Sequence, residues 1–250
     1  MLLAEALASG VAVEAVYAEP ELLDDPGVRA ATAAGAVLHE VAAEALAKVL
    51  DLRSPQGVVA VVPTVPTDLD AVLDRAIDAE RPVLAAVALQ DPGNLGTLVR
   101  VAEAAGCAGV VCTPGSVDLH NPKTVRATAG AVFRVPVAEQ VEPEVLLERC
   151  EARGVPTWAT VGREGRPLET VPLGGATVVL VGAEAHGLPP ELVARCTGAL
   201  TVPMEGAAES LNAAVAGSVV MFEGARQRRA PAAVDPLGTE WRPPAQDATQ

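Results

Sequence analysis

Aromatic residues are almost missing from this 250-residue chain, at 2%, and lysine is nearly so, with Lys48 and Lys123 standing against sixteen arginines. Half of all positions are hydrophobic, so the apolar mass is alanine, valine and leucine, and the interior must be packed by aliphatic side chains on helices and strands. Long uncharged runs are also missing. The longest (Ser54–Thr67, Ala104–Val117 and Thr170–Ala183) are each 14 residues and contain Gly or Pro, short of the roughly 18 that a bilayer span needs. The start has an acid, Glu5, where a secretory leader has a basic region, so the chain reads as cytoplasmic with no membrane partner. Four cysteines (Cys107, Cys112, Cys150 and Cys196) form no CxxC pair and have no histidine at ligand spacing. Neither a metal site nor a disulfide framework is expected, and reduced thiols are the default.

Basic excess is absent as well. A formal charge of −14 argues, taken alone, against a nucleic-acid partner, which usually selects a basic surface. The sum hides a pattern. Met1 to Pro66 holds nine acidic and three basic residues, whereas Asn94 to Arg134 holds Glu103 and Asp118 against Arg100, Lys123, Arg126 and Arg134. Positive charge therefore concentrates in one stretch.

Hydrophobic periodicity and turn residues divide the chain. Residues 1–66 read as a small α/β unit: a helix at Leu2–Ser9, a strand at Ala12–Ala18, a mixed helical stretch and a strand at Gly57–Val62, with turn signals at Pro20, Pro26-Gly27 and Ser54-Pro55. Pro63–Asp70 reads as a linker and Leu69–Ala79 as a helix. From Pro82 the alternation is regular. Strands are predicted at Val83–Leu89, Gly109–Thr113, Phe133–Val137, Thr157–Val161, Ala176–Gly182 and Ala199–Pro203, with helices at Leu95–Ala105, Pro122–Ala129, Pro143–Arg153, Pro189–Cys196 and Ser210–Arg228. Apolar strands alternating with helices predict an α/β fold with a mostly parallel sheet. Residues 230–250, proline-rich and aperiodic, are expected to be disordered.

Parallel sheets bind ligands beyond the carboxyl ends of their strands, and three segments in that position are unusual. The first, Gln90 to Arg100, places Gly93 and Gly96 where a backbone can approach closely, with Asn94 able to cap the helix that carries Arg100. The second, Val178 to Leu188, resembles a dinucleotide fingerprint, but Glu184 stands in the place of the second glycine of GxGxxG, which argues against a Rossmann cofactor site. His186 within it reads as a solvated loop residue. In the third, Val202 to Gly217, Ser210 can cap the last helix. Asn212 is a poor helix former whose amide needs partners. Ala213, Ala214, Ala216, Gly217 and Ser218 follow, a helix so short of side-chain bulk that a second helix or chain is expected to approach it closely.

Taken together, Asp-Pro-Gly-Asn-Leu-Gly-Thr-Leu-Val-Arg (91–100), Leu-Val-Gly-Ala-Glu-Ala-His-Gly-Leu (180–188) and Val-Pro-Met-Glu-Gly-Ala-Ala-Glu-Ser-Leu-Asn-Ala-Ala-Val-Ala (202–216) resemble, in order and spacing, the three motifs of the SpoU (TrmH-type) RNA ribose 2'-O-methyltransferases. Asn121 to Phe133 resembles the family's segment between the first two, and the likeness spans about Pro82 to Arg226. It implies a catalytic domain over 82–229 whose sheet carries a C-terminal trefoil knot, a homodimer with active sites at the interface, and S-adenosylmethionine as methyl donor. The residues implied are Asn94, Arg100, Glu184, Ser210 and Asn212 for catalysis, Thr160, Gly182, Val202, Met204 and Leu211 for the cofactor, and Lys123 and Arg126 for RNA phosphates. Residues 1–66 resemble, more loosely, the ribosomal-protein-like RNA-binding module in front of many members; its opening strand and Glu-Gly turn are missing before Leu2, so a late-placed start or a trimmed module is expected.

The implied reaction is methyl transfer to a ribose 2'-hydroxyl, in ribosomal RNA ahead of transfer RNA. The hydroxyl must lose its proton near the transition state, and Arg100 has two readings: the base, or, since arginine is not normally deprotonated, the group that holds a phosphate and polarises the hydroxyl. Two rivals come from other classes. A non-catalytic RNA-binding scaffold would not need Asn94, Arg100, Glu184, Ser210 and Asn212 together, and Glu184 in the glycine position disfavours a nucleotide-dependent oxidoreductase.

Overall fold

A computed structural model describes residues 2–50, 57–64, 67–183, 186–206, 208 and 210–229. The tail expected to be disordered, the Ser54-Pro55 turn and Glu184 lie outside the described residues.

The front of the chain builds a small sheet. Helix α1 (Leu2–Ala8) leads to β1 (Ala15–Ala18); α2 (Pro26–Ala33), β2 (Val37–Glu40), α3 (Ala43–Leu50) and β3 (Val58–Val61) follow. The order is β2-β1-β3, with β1 parallel to β2 and antiparallel to β3. Val16, Ala18, Val28, Ala31 and Ala36 form its own core. Strand β2 falls where a mixed helical stretch was expected. All four of its residues are exposed, so it has no inward-facing alternation to mark it as a strand.

After α4 (Leu69–Ala79) comes the second sheet, formed by β4 (Val83–Ala86), β5 (Gly109–Cys112), β6 (Val137–Ala138), β7 (Thr157–Thr160), β8 (Arg166–Pro167), β9 (Val178–Val181) and β10 (Gly198–Thr201). Its order is β6-β5-β4-β9-β7-β10-β8 and every pairing is parallel. The helices between are α5 (Pro92–Ala104), α6 (Pro122–Ala127), α7 (Pro143–Ala152), α8 (Pro190–Arg195) and α9 (Ala213–Arg228). Strands β4, β5 and β9 are buried throughout, because helices cover both faces. Alternate residues of β4 divide between the layers: Leu84 and Ala86 join Leu95, Leu98, Val220 and Met221 under α5 and α9, while Val83 and Ala85 join Val72, Leu73, Leu146 and Leu192 under α4, α7 and α8.

Three sequence expectations need correction. Helix α5 starts at Pro92, with Asp91 as its cap: Asp91 Oδ1 accepts the Asn94 backbone N–H at 2.8 Å, so Asn94 is not the cap. Proline preset for the first helical position makes the earlier start favourable. Helix α9 starts at Ala213, and its cap is Asn212, whose Oδ1 accepts from Ala214 N at 2.9 Å and Val215 N at 3.2 Å; Ser210 lies before it. The stretch Phe133–Val137 is a 3₁₀ turn at Ala131–Phe133 followed by the two-residue β6.

Among the described residues, Arg134 links helix α1 of the front unit to helix α5 of the second. Arg134 donates from Nη1 to Glu5 of α1 at 2.6 Å and from Nε to Glu103 of α5 at 2.8 Å. Cys107, Cys112 and Cys150 are buried free thiols, and burial pushes each up to about 12.

Candidate active site

Two of the three unusual segments, those after β9 and β10, meet the chain that follows β7 at the carboxyl end of the second sheet. There the chain leaves β7, β9 and β10 and enters α9, leaving a cleft of about 350 Å³. Thr160 and Gly162 line it after β7, Gly182 and Gly187 after β9, Val202 and Met204 after β10, and Ser210, Leu211 and Ala216 on the way into and along α9. All five residues expected to hold the cofactor, and Ser210 with them, thus share one wall-to-wall space.

Local physics explains how each wall is shaped. Gly182 has no room for a side chain: an added Cβ would stand 2.4 Å from the carbonyl carbon of Gly187. The loop folds back on itself here, with Gly187 N–H donating to the Ala183 carbonyl at 2.8 Å, and Gly187 takes the left-handed conformation (φ +65°) that this reversal requires. His186 is exposed on this loop, as expected. Thr160 donates its hydroxyl to the Leu180 carbonyl at 2.9 Å, tying β7 to β9. The proton of that hydroxyl is thereby committed to the sheet. Val202, Met204 and Leu211 are half-buried and add apolar side chains to the lining.

Asn94 and Asn212 do not line the cleft, but they are brought together beside it. Asn212 Nδ2 donates to Asn94 Oδ1 at 3.2 Å while its own Oδ1 caps α9, so one amide fastens the start of α9 to the first turn of α5. The helices stay close along their length because α9 presents little bulk: a Cβ on Gly217 would come within 2.5 Å of Leu98 Cδ2. The close approach expected at this helix is therefore made by the chain's own α5 and sheet. Its other face is not bare. Val215, Val219 and Phe222, spaced to share one side of the helix, are exposed by 49%, 38% and 45%.

Arg100 is exposed in the third turn of α5, outside the cleft lining, and its side chain has no hydrogen bond or ion pair with any described residue. Lys123 and Arg126 are exposed on α6. Helices α5 and α6 are in intimate contact at Gly96, where a Cβ would stand 2.5 Å from Ala127 Cβ, so the three cations ride on one joined pair of helices. Val161 and Gly162 also line the cleft and were not singled out from sequence, although their place just after a strand was the available signal. Among the described residues no group of three or more His, Cys, Asp or Glu is placed to hold a metal ion, and no helix is long and apolar enough to cross a membrane.

The family model described as SpoU rRNA Methylase matches residues 81–222, the region that contains every part of this site. The 23S rRNA (guanosine(2553)-2'-O)-methyltransferase RlmP of Bacillus subtilis is 32% identical over 188 residues, covering 75% of this chain and 72% of that protein. The AdoMet-bound rRNA methyltransferase from Sinorhizobium meliloti superposes with a TM-score of 0.78 at 29% identity, over 90% of this chain and 84% of that one. The SpoU methyltransferase AviRb from Streptomyces viridochromogenes, in complex with AdoMet, gives 0.79 at 27% identity, over 91% and 87%.

Proposed function

Because the chain belongs to the SpoU rRNA methylase family, we propose that it is an RNA methyltransferase that moves a methyl group from S-adenosylmethionine to a ribose 2'-hydroxyl, with ribosomal RNA in the cytoplasm as substrate. The observation that carries this reading is the meeting of Thr160, Gly182, Val202, Met204 and Leu211, from three separate segments, in one cleft. The lining fits the cofactor: the apolar side chains of Val202, Met204 and Leu211 suit a flat heterocycle, and about 350 Å³ falls in the range of small-molecule sites.

Bound there, S-adenosylmethionine supplies an electrophilic methyl group on a sulfonium. The chain's own residues do the rest by orientation and charge. Asn212 and Asn94 hold α9 against α5 and so fix the cleft wall relative to the cationic helices. A guanidinium keeps its proton, so Arg100 acts by gripping a phosphate beside the target nucleotide and polarising the 2'-hydroxyl, whose proton passes to solvent water as the methyl group arrives. Lys123 and Arg126 steer the backbone without reading sequence. Glu184 completes the catalytic set as the family resemblance implies.

Arg100 stands off the cleft of its own chain, and the apolar stripe of Val215, Val219 and Phe222 begins beside the cleft. Both features support a homodimer in which two copies join along α9 and complete each site. The order β4-β9-β7-β10, followed by the return of α9 across β9 and β4 at Gly217, supports a trefoil-knotted C-terminal part. Residues 1–66, with their own small core, serve as the substrate-binding unit, and 82–229 as the catalytic one. The test is transfer of labelled methyl to ribosomal and to transfer RNA, with 2'-O-methyl sites mapped in RNA from a deletion strain. A missing methyl in ribosomal RNA, restored by the purified protein, is expected; unchanged maps together with no transfer overturn the reading.

A further inference from the structure

At the opposite end of the sheet, below the amino ends of β4 and β5, the last turns of α5 and α9 enclose a second cleft of about 320 Å³. Its lining includes Arg81, Glu103, Gly106, Ala225, Arg228 and Arg229. Three guanidinium groups converge here in a chain whose net charge is −14. Glu103, the one acid in the lining, is already taken by Arg134 Nε at 2.8 Å. Arg228 is drawn inward, donating from Nη2 to the Ala105 carbonyl at the end of α5, while its Nε and Nη1 are buried without a partner. Capping α5 explains the first of these contacts and leaves the other two nitrogens unexplained. The side chains of Arg81 and Arg229 have no hydrogen bond or ion pair with any described residue. Gly106 opens the space between the cations: the point where its Cβ would stand is 3.1 Å from Arg81 Nη1 and 3.8 Å from Arg228 Nη2.

We propose that this cleft is an anion site that takes a phosphate group, carried either by the RNA backbone or by a free phosphate. Converging guanidinium forks match the oxygens of a tetrahedral oxyanion, and a partly desolvated fork binds one more tightly than a solvated cation does. Burial first, and then the neighbouring Arg81, hold the Arg228 guanidinium below its usual range. The site is distinct from the methyl-transfer cleft, being at the other end of a parallel sheet. Its RNA arm rests on the proposed function, and its phosphate arm does not.

The experiment uses the full chain and the double variant Arg81→Ala, Arg229→Ala, which removes two exposed cations and no side-chain hydrogen bond or ion pair with a described residue. Inorganic phosphate is titrated calorimetrically at constant ionic strength. Saturable binding by the wild type, weakened at least 10-fold in the variant, is expected. The same two proteins are then titrated with a ribosomal RNA fragment. A several-fold loss of RNA affinity, with the slope of log affinity against log salt reduced by roughly 1, identifies the backbone as source; unchanged RNA affinity with phosphate binding lost identifies a free phosphate. Phosphate binding that is absent, or equal in the two proteins, overturns the proposal, and an unchanged affinity for S-adenosylmethionine in the variant shows that the fold is intact.

Discussion

Single side chains in this site do two jobs at once, and substitutions can separate them. Asn212 caps α9 with its oxygen and reaches Asn94 with its nitrogen. Asn212→Ala should lose both, at about 1–2 kcal/mol of stability. Asn212→Asp keeps a good capping oxygen and loses only the donor, so its melting temperature should stay near that of the wild type while methyl transfer falls; thermal melts and kcat/KM on one preparation check this. The Arg100 side chain makes no hydrogen bond or ion pair with a described residue, so Arg100→Ala should leave the fold and the cofactor affinity alone while turnover falls about 10²- to 10³-fold, as when one charge-stabilising donor is removed. Arg100→Lys restores a point charge without the planar fork, and only partial recovery is expected in single-turnover assays. Full recovery would reduce the arginine to a simple phosphate contact.

At the scale of elements, loops that turn back on themselves shape the cleft. Gly182→Ala forces a methyl group against the Gly187 backbone, which cannot rotate away as a side chain end could. A drop of at least 10-fold in S-adenosylmethionine affinity by calorimetry is expected, with the sheet still formed by circular dichroism. Much of this architecture was readable beforehand. Helix α4 has the expected limits, Leu69–Ala79, because a capping Asp68 and an apolar stripe mark it plainly, and the buried strands β4, β5 and β9 stand out as unbroken apolar runs. Strand β8 was not readable: two exposed residues, one of them proline, carry no periodic signal. The helix starts were misplaced by about a turn, since Asp91 and Asn94, or Ser210 and Asn212, are equally good capping residues and only tertiary contacts choose between them. The cleft residues were legible because they follow strands. That Arg100 would stand apart from them was not, because sequence spacing does not tell which side of a helix meets the site.

For the whole molecule, the stripe on α9 is the feature that predicts assembly. The wild type should have a dimeric mass by light scattering, and Phe222→Glu, at a position 45% exposed within one chain, should give a folded monomer with methyl transfer lost. A monomeric wild type would sink the shared site. Stability should also respond to alkali. Cys107, Cys112 and Cys150 keep their protons up to about 12 in the folded state, against 9.0 for an ordinary thiol. Above pH 9 the unfolded chain releases protons that the folded one retains, so the contribution of these thiols, complete below pH 9, should decline between pH 9 and 12, as urea melts across that range can follow. The sheet order carries one more consequence. Val83 of β4 lies opposite Val178 of β9, so a strand made early waits for one made late. At cellular rates of translation that interval lasts roughly 5–20 s, during which an entirely apolar strand emerges from the ribosome with one edge unclaimed, and the nascent chain needs sheltering until its last third has been synthesised.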